Sequence, residues 1–570
     1  MLPWFDEHPD QCWWLVGTVA LAAVGLIVRS WRRDPLADRT RFDWAWALAS
    51  LALLASARWP TWFFNHEFNQ DESGFIAGAM TLRHDPMFWR SIDGDTSGPI
   101  NFFSLLPFGW LPGGDGYLSA RVAALLLIGT ALVLVHQTIL IVSGQLVARI
   151  CSFSALCLEA FTWDRSFLHY SSELASMPLL AAAAFLASRR CCARADWRWN
   201  FAGGLALGAL PFAKIQAAPL GLVLGGLWLA AEIAPDRAPT PTPRHAILAL
   251  ITGALAPLLF CSLALTITRQ WPHALIPYFS HTTGYVAAGT RNSDLLIDLW
   301  LLAQVGHSML PEWLVGSGLA LLLGVPFIAR ISTLRERMLA LSAGALAVVA
   351  LLCVLAPGRP FLHYCQLLVV PWTLLLGVGT GLALAGAASS PWARPVMLGL
   401  MLVAGSGAML VTRAGLPVRF LGADARRIAQ TPSPIVALVA PYARTGESLC
   451  VWGWMNGFYV ETGLYQATRS VHSEAILHDH GHQTYYRERY LADLQRTRPP
   501  VFVDAVAPGS FLFEQPEFRH ENAFPALGAY IREHYTLAAE SLGNRIYVRN
   551  DRLGTLSSST PPPLNKILSK

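Results

Sequence analysis

The stretch FAGGLALGALPFAKIQAAPLGLVLGGLWLAA, residues 201–231, decides what kind of protein this is. It is apolar except at Lys214 and Gln216, and Pro211 and Pro219 stand on either side of that pair. As one helix it would run about 45 Å at 1.5 Å per residue, and its ends would lie on opposite sides of a bilayer. Both flanks are basic, however: Arg198 precedes it, and Arg237 and Arg244 follow it. Short loops rich in Lys and Arg stay on the cytoplasmic side. Two short spans joined by an outer turn satisfy both flanks. That turn also lifts Lys214 to the outer face and avoids the roughly 3 kcal/mol cost of a lysine at mid-membrane.

The same reading extends outward along the chain. Apolar runs of about 20 residues, enough to cross roughly 30 Å of hydrocarbon, recur from Trp13 to about Val411. With 54% hydrophobic and 14% charged residues and a mean hydropathy of +0.40, the chain is too apolar for one soluble core. Basic loops recur at Arg29, Arg32, Arg33, Arg39 and Arg41, at Arg189, Arg190, Arg194 and Arg198, at Arg237 and Arg244, and at Arg330, Arg335 and Arg337. Placing them inside sends the second span, about Trp44 to Trp59, outward. The expected fold is a polytopic α-helical membrane protein of about twelve spans. The stretch Leu295 to Leu310 reads either as an interfacial helix or as part of a span.

From about residue 413 the charged and polar residues return to the density of a soluble domain. Residues 1–412 are therefore expected in the membrane part and 413–570 in an extracytoplasmic α/β domain. There SLCVWGW (448–454), VFVDAV (501–506) and NRIYVR (544–549) read as strands, with helices before Tyr442, near Tyr486 to Arg496, and ending near Tyr535. The net charge of +5 sits in short loops rather than on a soluble face, which excludes nucleic acid as a partner. The nine cysteines are odd in number and lie mostly in apolar segments, so no disulfide framework follows. The acidic start MLPWFDEHPD lacks the positive region of a cleaved signal, so the first helix is expected to remain.

The first outer loop, about 60–116, is too long for a plain connector and carries Glu67, Asp71, Glu72, Asp85, Asp93 and Asp95. After Asp71 and Glu72, residues Phe75, Ile76, Ala79, Met80 and Leu82 follow at helical spacing. This predicts a short helix in the membrane interface with the carboxylate pair at its N-terminus. The order of apolar span, NQDESGFIAGAMTLRHD (69–85) and SGPINFFSLLPF (97–108) resembles the first outer loop of the GT-C superfamily. Its members include the protein O-mannosyltransferases and the lipid A aminoarabinose and galacturonic acid transferases.

The resemblance implies a glycosyltransferase using a polyprenyl-phosphate sugar donor. It makes Asp71 the base that takes the acceptor hydroxyl proton, with Glu72 beside it. Glu173 in HYSSEL (169–174) resembles the family's second acidic site for metal or acceptor; an ordinary loop carboxylate is the alternative. Lys214 resembles the lysine at the tip of a helix hairpin that neutralises a lipid phosphate, against a snorkelling lysine. In GRPFLHY (358–364), Arg359 and His363 fall four apart on one helical face beside Tyr364. They read as a phosphate clamp or as interfacial anchors.

A divalent cation is an optional cofactor, because a lipid-phosphate leaving group does not require one. No Cys and His ligand set of the kind expected in the lipid A enzymes accompanies these loops. In the outer domain, His478, His480 and His482 of HDHGH, with His472 and Glu474 nearby, offer alternating ligands in a stretch that reads as a loop. The partners implied are the lipid-linked donor, an envelope lipid, glycan or protein acceptor, and membrane lipid. The implied location is a bacterial inner membrane with the active site outside. The rival reading is a transporter or flippase of lipid-linked sugars, which would carry mid-membrane charges and repeated halves. A membrane scaffold is a third.

Overall fold

The computed structural model describes residues 9–31, 41–62, 64–111, 113–192, 196–233, 243–289, 294–305, 308–328, 333–386, 396, 399, 431–478 and 480–553. The bundle opens with α1 (Pro9–Trp31) and α2 (Trp44–Trp62), and α3 (Gln70–His84) lies in the long connection that follows. Next come α4 (Tyr117–Ser143), α5 (Gln145–Phe161), α6 (Ser176–Cys192), α7 (Arg198–Ala213), α8 (Ala218–Ile233) and α9 (Pro243–Thr268). The short α10 (His281–Ala287) and α11 (Leu295–Val305) lead to α12 (Leu310–Ile328), α13 (Leu334–Leu355) and α14 (Gln366–Gly386).

Among the described residues, seven helices are long and apolar enough to cross a membrane. The chain is a multi-pass membrane protein. The last expected span, ending near Val411, lies outside the described residues, as do the domain boundary at 412/413 and the loop residues Arg32, Arg33, Arg39, Arg194, Arg237 and Arg330. At 11 residues α11 is too short to span, so Leu295–Val305 is a separate short helix ahead of α12.

The segment at 201–231 divides as its flanks require. α7 ends at Ala213, Lys214 adopts an extended conformation, and α8 starts at Ala218. α7 and α9 approach closely because small residues face each other: a Cβ at Gly208 would run into the Ala254 carbonyl. Charged side chains inside the bundle are paired. Arg149 of α5 holds Asp43 at 2.8 Å, and Arg58 of α2 holds Glu159 of α5 at 2.7 Å. Arg190 of α6 holds Glu232 of α8 at 2.9 Å. Removing either member of such a pair leaves a bare charge in apolar surroundings, which is why both persist.

The C-terminal domain is a five-stranded sheet in the order β2-β1-β3-β5-β4: β1 Ser448–Trp452, β2 Tyr465–Gln466, β3 Val501–Asp504, β4 Tyr535–Ser541 and β5 Asn544–Arg549. β1 runs parallel to β2 and β3, and β5 pairs antiparallel with β3 and β4. Helices cover both faces. Cys450, Trp452 and Phe502 pack with Tyr486, Tyr490 and Leu494 of the helix Gln483–Thr497, while Leu449, Val451 and Val503 pack with Ile435 and Val439 on the other face. The three expected strands and their intervening helices are present. β4 escapes the pattern because it is an edge strand whose residues after Tyr535 are largely exposed.

α3 departs from its expected setting. It is a helix, but every residue from Glu72 to Leu82 is buried, where an interfacial helix would expose one face. Phe75, Ile76 and Met80 join the membrane core. Ala77 joins the core of the sheet domain, and Thr81 Oγ1 accepts from the Gln466 backbone N–H at 3.1 Å. α3 is thus the joint between the two parts, and it covers the edge strand β2 that would otherwise be open.

Candidate active site

Asn69 caps α3 by accepting from the Asp71 backbone N–H at 2.9 Å. The two acids that follow go separate ways. Glu72 is fully buried and bonded in a fork by Arg121 of α4, at 3.1 Å to Oε1 and 2.9 Å to Oε2. It also accepts from the backbone N–H groups of Phe68 and Tyr170. Arg121 in turn donates to the carbonyls of Thr61 and His66 and sits 3.9 Å from the centre of the Phe68 ring. With both oxygens held by Arg121 and two backbone N–H groups, Glu72 locks the loop that carries Asp71. Asp71 is half-buried, and among the described residues its carboxylate has no ion pair or hydrogen bond. At the first turn of a helix it also lies in the positive end of the helix dipole.

Glu173 and Lys214, read separately from the sequence, are partners. Lys214 Nζ bonds Glu173 Oε1, donates to Ser172 Oγ at 2.6 Å and lies 4.6 Å from the Tyr364 ring centre. Burial alone would raise Glu173, but the charges of Lys214 and then His363 hold its carboxyl down at about 2. With Glu72 on Arg121 and Glu173 on Lys214, these two acids do not fit a divalent-cation site, contrary to that option for Glu173.

Arg359 and His363 do not share a helical face. Residues 356–361 are non-helical, Leu362–Cys365 is a 3-10 turn, and α14 begins only at Gln366. Pro360 removes a backbone donor there and disfavours helical geometry at Arg359. Arg359 reaches the same region by another route, over the Tyr285 ring of α10 at 5.3 Å, and Tyr285 Oη meets Tyr364 Oη at 3.1 Å. His363 is buried among rings, stacked on Phe361 and edge-on to His169 and Tyr364. A cavity of about 550 Å³ opens beside this group. Lys214, Gln216, Tyr285 and Tyr364 line its polar end, and Leu222 and Val349 represent its apolar length between α8 and α13.

The sheet domain packs on the loop that follows α3. His472 binds Asp95 at 2.9 Å and stacks on Trp454 with ring centres 3.8 Å apart. Asp95, in a left-handed backbone conformation (φ 50°), is held at about 2, its burial outweighed by the His472 charge. Burial alone would lower His472, but Asp95 raises it above the ordinary range, and Glu474 and Asp71 add to that. Asp93 is bonded to Arg489 of the domain, whereas Asp85 only pairs with the exposed Arg90 on its own loop.

The HDHGH histidines do not converge. His478 lies 3.5 Å from Glu474, His480 meets the Ala475 carbonyl, and His482 meets Ser280. Among the described residues, only Asp504, His520 and Glu521 form a close three-ligand group, and Arg545 already holds Glu521. Sequence reasoning missed Arg121 and Tyr285, and it placed His472 beside the HDHGH histidines rather than on Asp95. Only Arg121 left a signal, a single charge in the first turn of the apolar run YLSARVAALLL.

No family model and no curated protein sequence matches the chain. Its helical bundle, with α3 under a small sheet domain, has the GT-C fold. It is similar to the crystal structure of ArnT from Cupriavidus metallidurans in the apo state, with a TM-score of 0.56 and 12% identity over 88% of this chain and 97% of that one. It is similar also to ArnT from the same organism bound to undecaprenyl phosphate, with a TM-score of 0.55 and 14% identity over 91% and 99% of the two chains.

Proposed function

We propose that this chain transfers a sugar from a polyprenyl-phosphate carrier to an acceptor on the extracytoplasmic side of the membrane. The carrying observation is the unpaired Asp71 carboxylate, whose charge reaches Tyr285 at the polar end of the cavity. A long apolar groove with Lys214, Tyr285 and Tyr364 at one end suits a lipid tail ending in phosphate, and the similarity to ArnT with bound undecaprenyl phosphate supports that use.

In this reading Asp71 takes the proton of the acceptor hydroxyl as its oxygen attacks the anomeric carbon. The bond from that carbon to the phosphate oxygen breaks, and the phosphate leaves with the electron pair. Attack from the face opposite the phosphate inverts the centre. Lys214 and Arg359 stabilise the charge gathering on the leaving phosphate, and Tyr285 and Tyr364 offer hydroxyl donors to it. Glu72 keeps Asp71 in position through Arg121. The basic loops at the opposite ends of the helices support placing the site outside.

The test is release of label from a panel of polyprenyl-phosphate sugars in the presence of an envelope extract. Asp71→Asn is expected to lower turnover by at least about 100-fold with the protein still folded. Wild-type turnover in that variant would remove Asp71 from the role. Scrambling of lipid-linked sugar across liposomes without transfer would favour a flippase.

A further inference from the structure

Two buried carboxylates in the site region are held by cations, yet they are bonded differently. Glu72 uses both oxygens, in four hydrogen bonds. Glu173 uses only Oε1, toward Lys214 and Ser172, and its Oε2 is buried with no hydrogen-bond partner among the described residues. A carboxylate serving only as a structural tie has two oxygens to satisfy, and burying one unmatched is unfavourable. Four residues before Glu173, His169 Nε2 is also buried without a partner among the described residues, and the His169 and His363 ring centres are 5.5 Å apart.

Lys214 itself lines the cavity. Glu173 therefore stands behind the Lys214 ammonium group at the polar end of the groove, half-bonded, with the paired His169 and His363 rings in the same region. We propose that Glu173 is the resident anion of the lipid-phosphate site, which releases Lys214 to the incoming phosphate and takes it back as the phosphate leaves. The inference rests on the reading of the cavity as a lipid-phosphate site and adds an exchange step to it. While phosphate holds Lys214, Glu173 turns to His363 and His169, which gives its open oxygen a partner. When the spent carrier departs, the carboxylate restores the pair, so that Lys214 is never left as a bare buried cation. Competition of this kind weakens binding of the product phosphate and thereby speeds its release.

The experiment is titration of the purified full chain with undecaprenyl phosphate, for wild type, Glu173→Gln, Lys214→Gln and the double variant. Glu173→Gln keeps the shape and removes the competing charge. It is expected to bind at least tenfold tighter than wild type, and to show stronger inhibition by undecaprenyl phosphate during turnover. The gain should vanish in the double variant, because it acts through Lys214. Glu173→Asp, which retains the charge with a shorter reach, is expected to fall between wild type and Glu173→Gln, and serves if the Gln variant does not fold. Wild-type binding with equal or weaker binding by both Glu173 variants overturns the exchange while leaving the site reading intact. Absence of binding in all four proteins overturns the site reading, and the exchange with it.

Discussion

The corner built by Glu72 and Arg121 and the corner built by Glu173 and Lys214 sit in one molecule, each a buried acid held by a buried base, and they do opposite things. Arg121 is a planar fork with all its directions used: Glu72, the carbonyls of the loop and the Phe68 ring. Nothing is left over, so the corner is a fixture. Lys214 is a point charge on a flexible stem, bound to one carboxylate oxygen and one hydroxyl, with a ring beneath it and a cavity beside it. That corner has spare bonding capacity and an opening, which is what a ligand site needs.

The largest expected effect breaks the fixture. Arg121→Met leaves Glu72 buried and uncompensated, a loss of about 3–5 kcal/mol, and frees residues 61–72. Thermal unfolding in detergent should show a large drop, with activity lost alongside it. The same substitution at the other corner, Lys214→Met, is expected to cost less, about 1–3 kcal/mol, because Ser172 remains bonded to Glu173 and the cavity admits solvent beside it. Equal losses in the two variants would mean that Glu173 is as fixed as Glu72, and would count against the exchange.

The smallest effect sharpens the comparison at its edge. Glu67 bonds Ser73 at 2.5 Å just ahead of the Glu72 corner. Burial first, and then the charges of Glu72, Glu461 and Asp71, lift it from 4.5 to about 7 against the Ser73 hydrogen bond. A carboxyl raised on folding contributes stability that is complete below its unfolded value and lost as pH rises through the folded one. Stability should therefore decline between about pH 4.5 and 7, and Glu67→Gln should flatten that part of the profile of unfolding temperature against pH. An unchanged slope would show that Glu67 is ionised throughout.

Much of the membrane part was legible because hydropathy and loop charge are local properties. The break at Lys214 followed from two basic flanks and two prolines. Asp71 was legible for a similar reason, as an acid at the start of a helical pattern. The fate of its neighbour was not, since Glu72 depends on an arginine that lies across the connection on another helix. Arg359 and His363 show the reverse failure: the spacing of four implied a shared helical face, and Pro360 removed the helix.

The sequence by itself determined the bilayer as the solvent, the hairpin at 201–231, the helix with Asp71 and Glu72 in its first turn and the alternating strands of the terminal domain, since periodicity, length and charge act over a few residues. Only the tertiary structure decided which charges are matched. A buried charge must find its partner wherever the fold brings one, and the partners here come from distant elements: Arg121 for Glu72, Lys214 for Glu173 and His472 for Asp95. It also left Asp71 without one among the described residues.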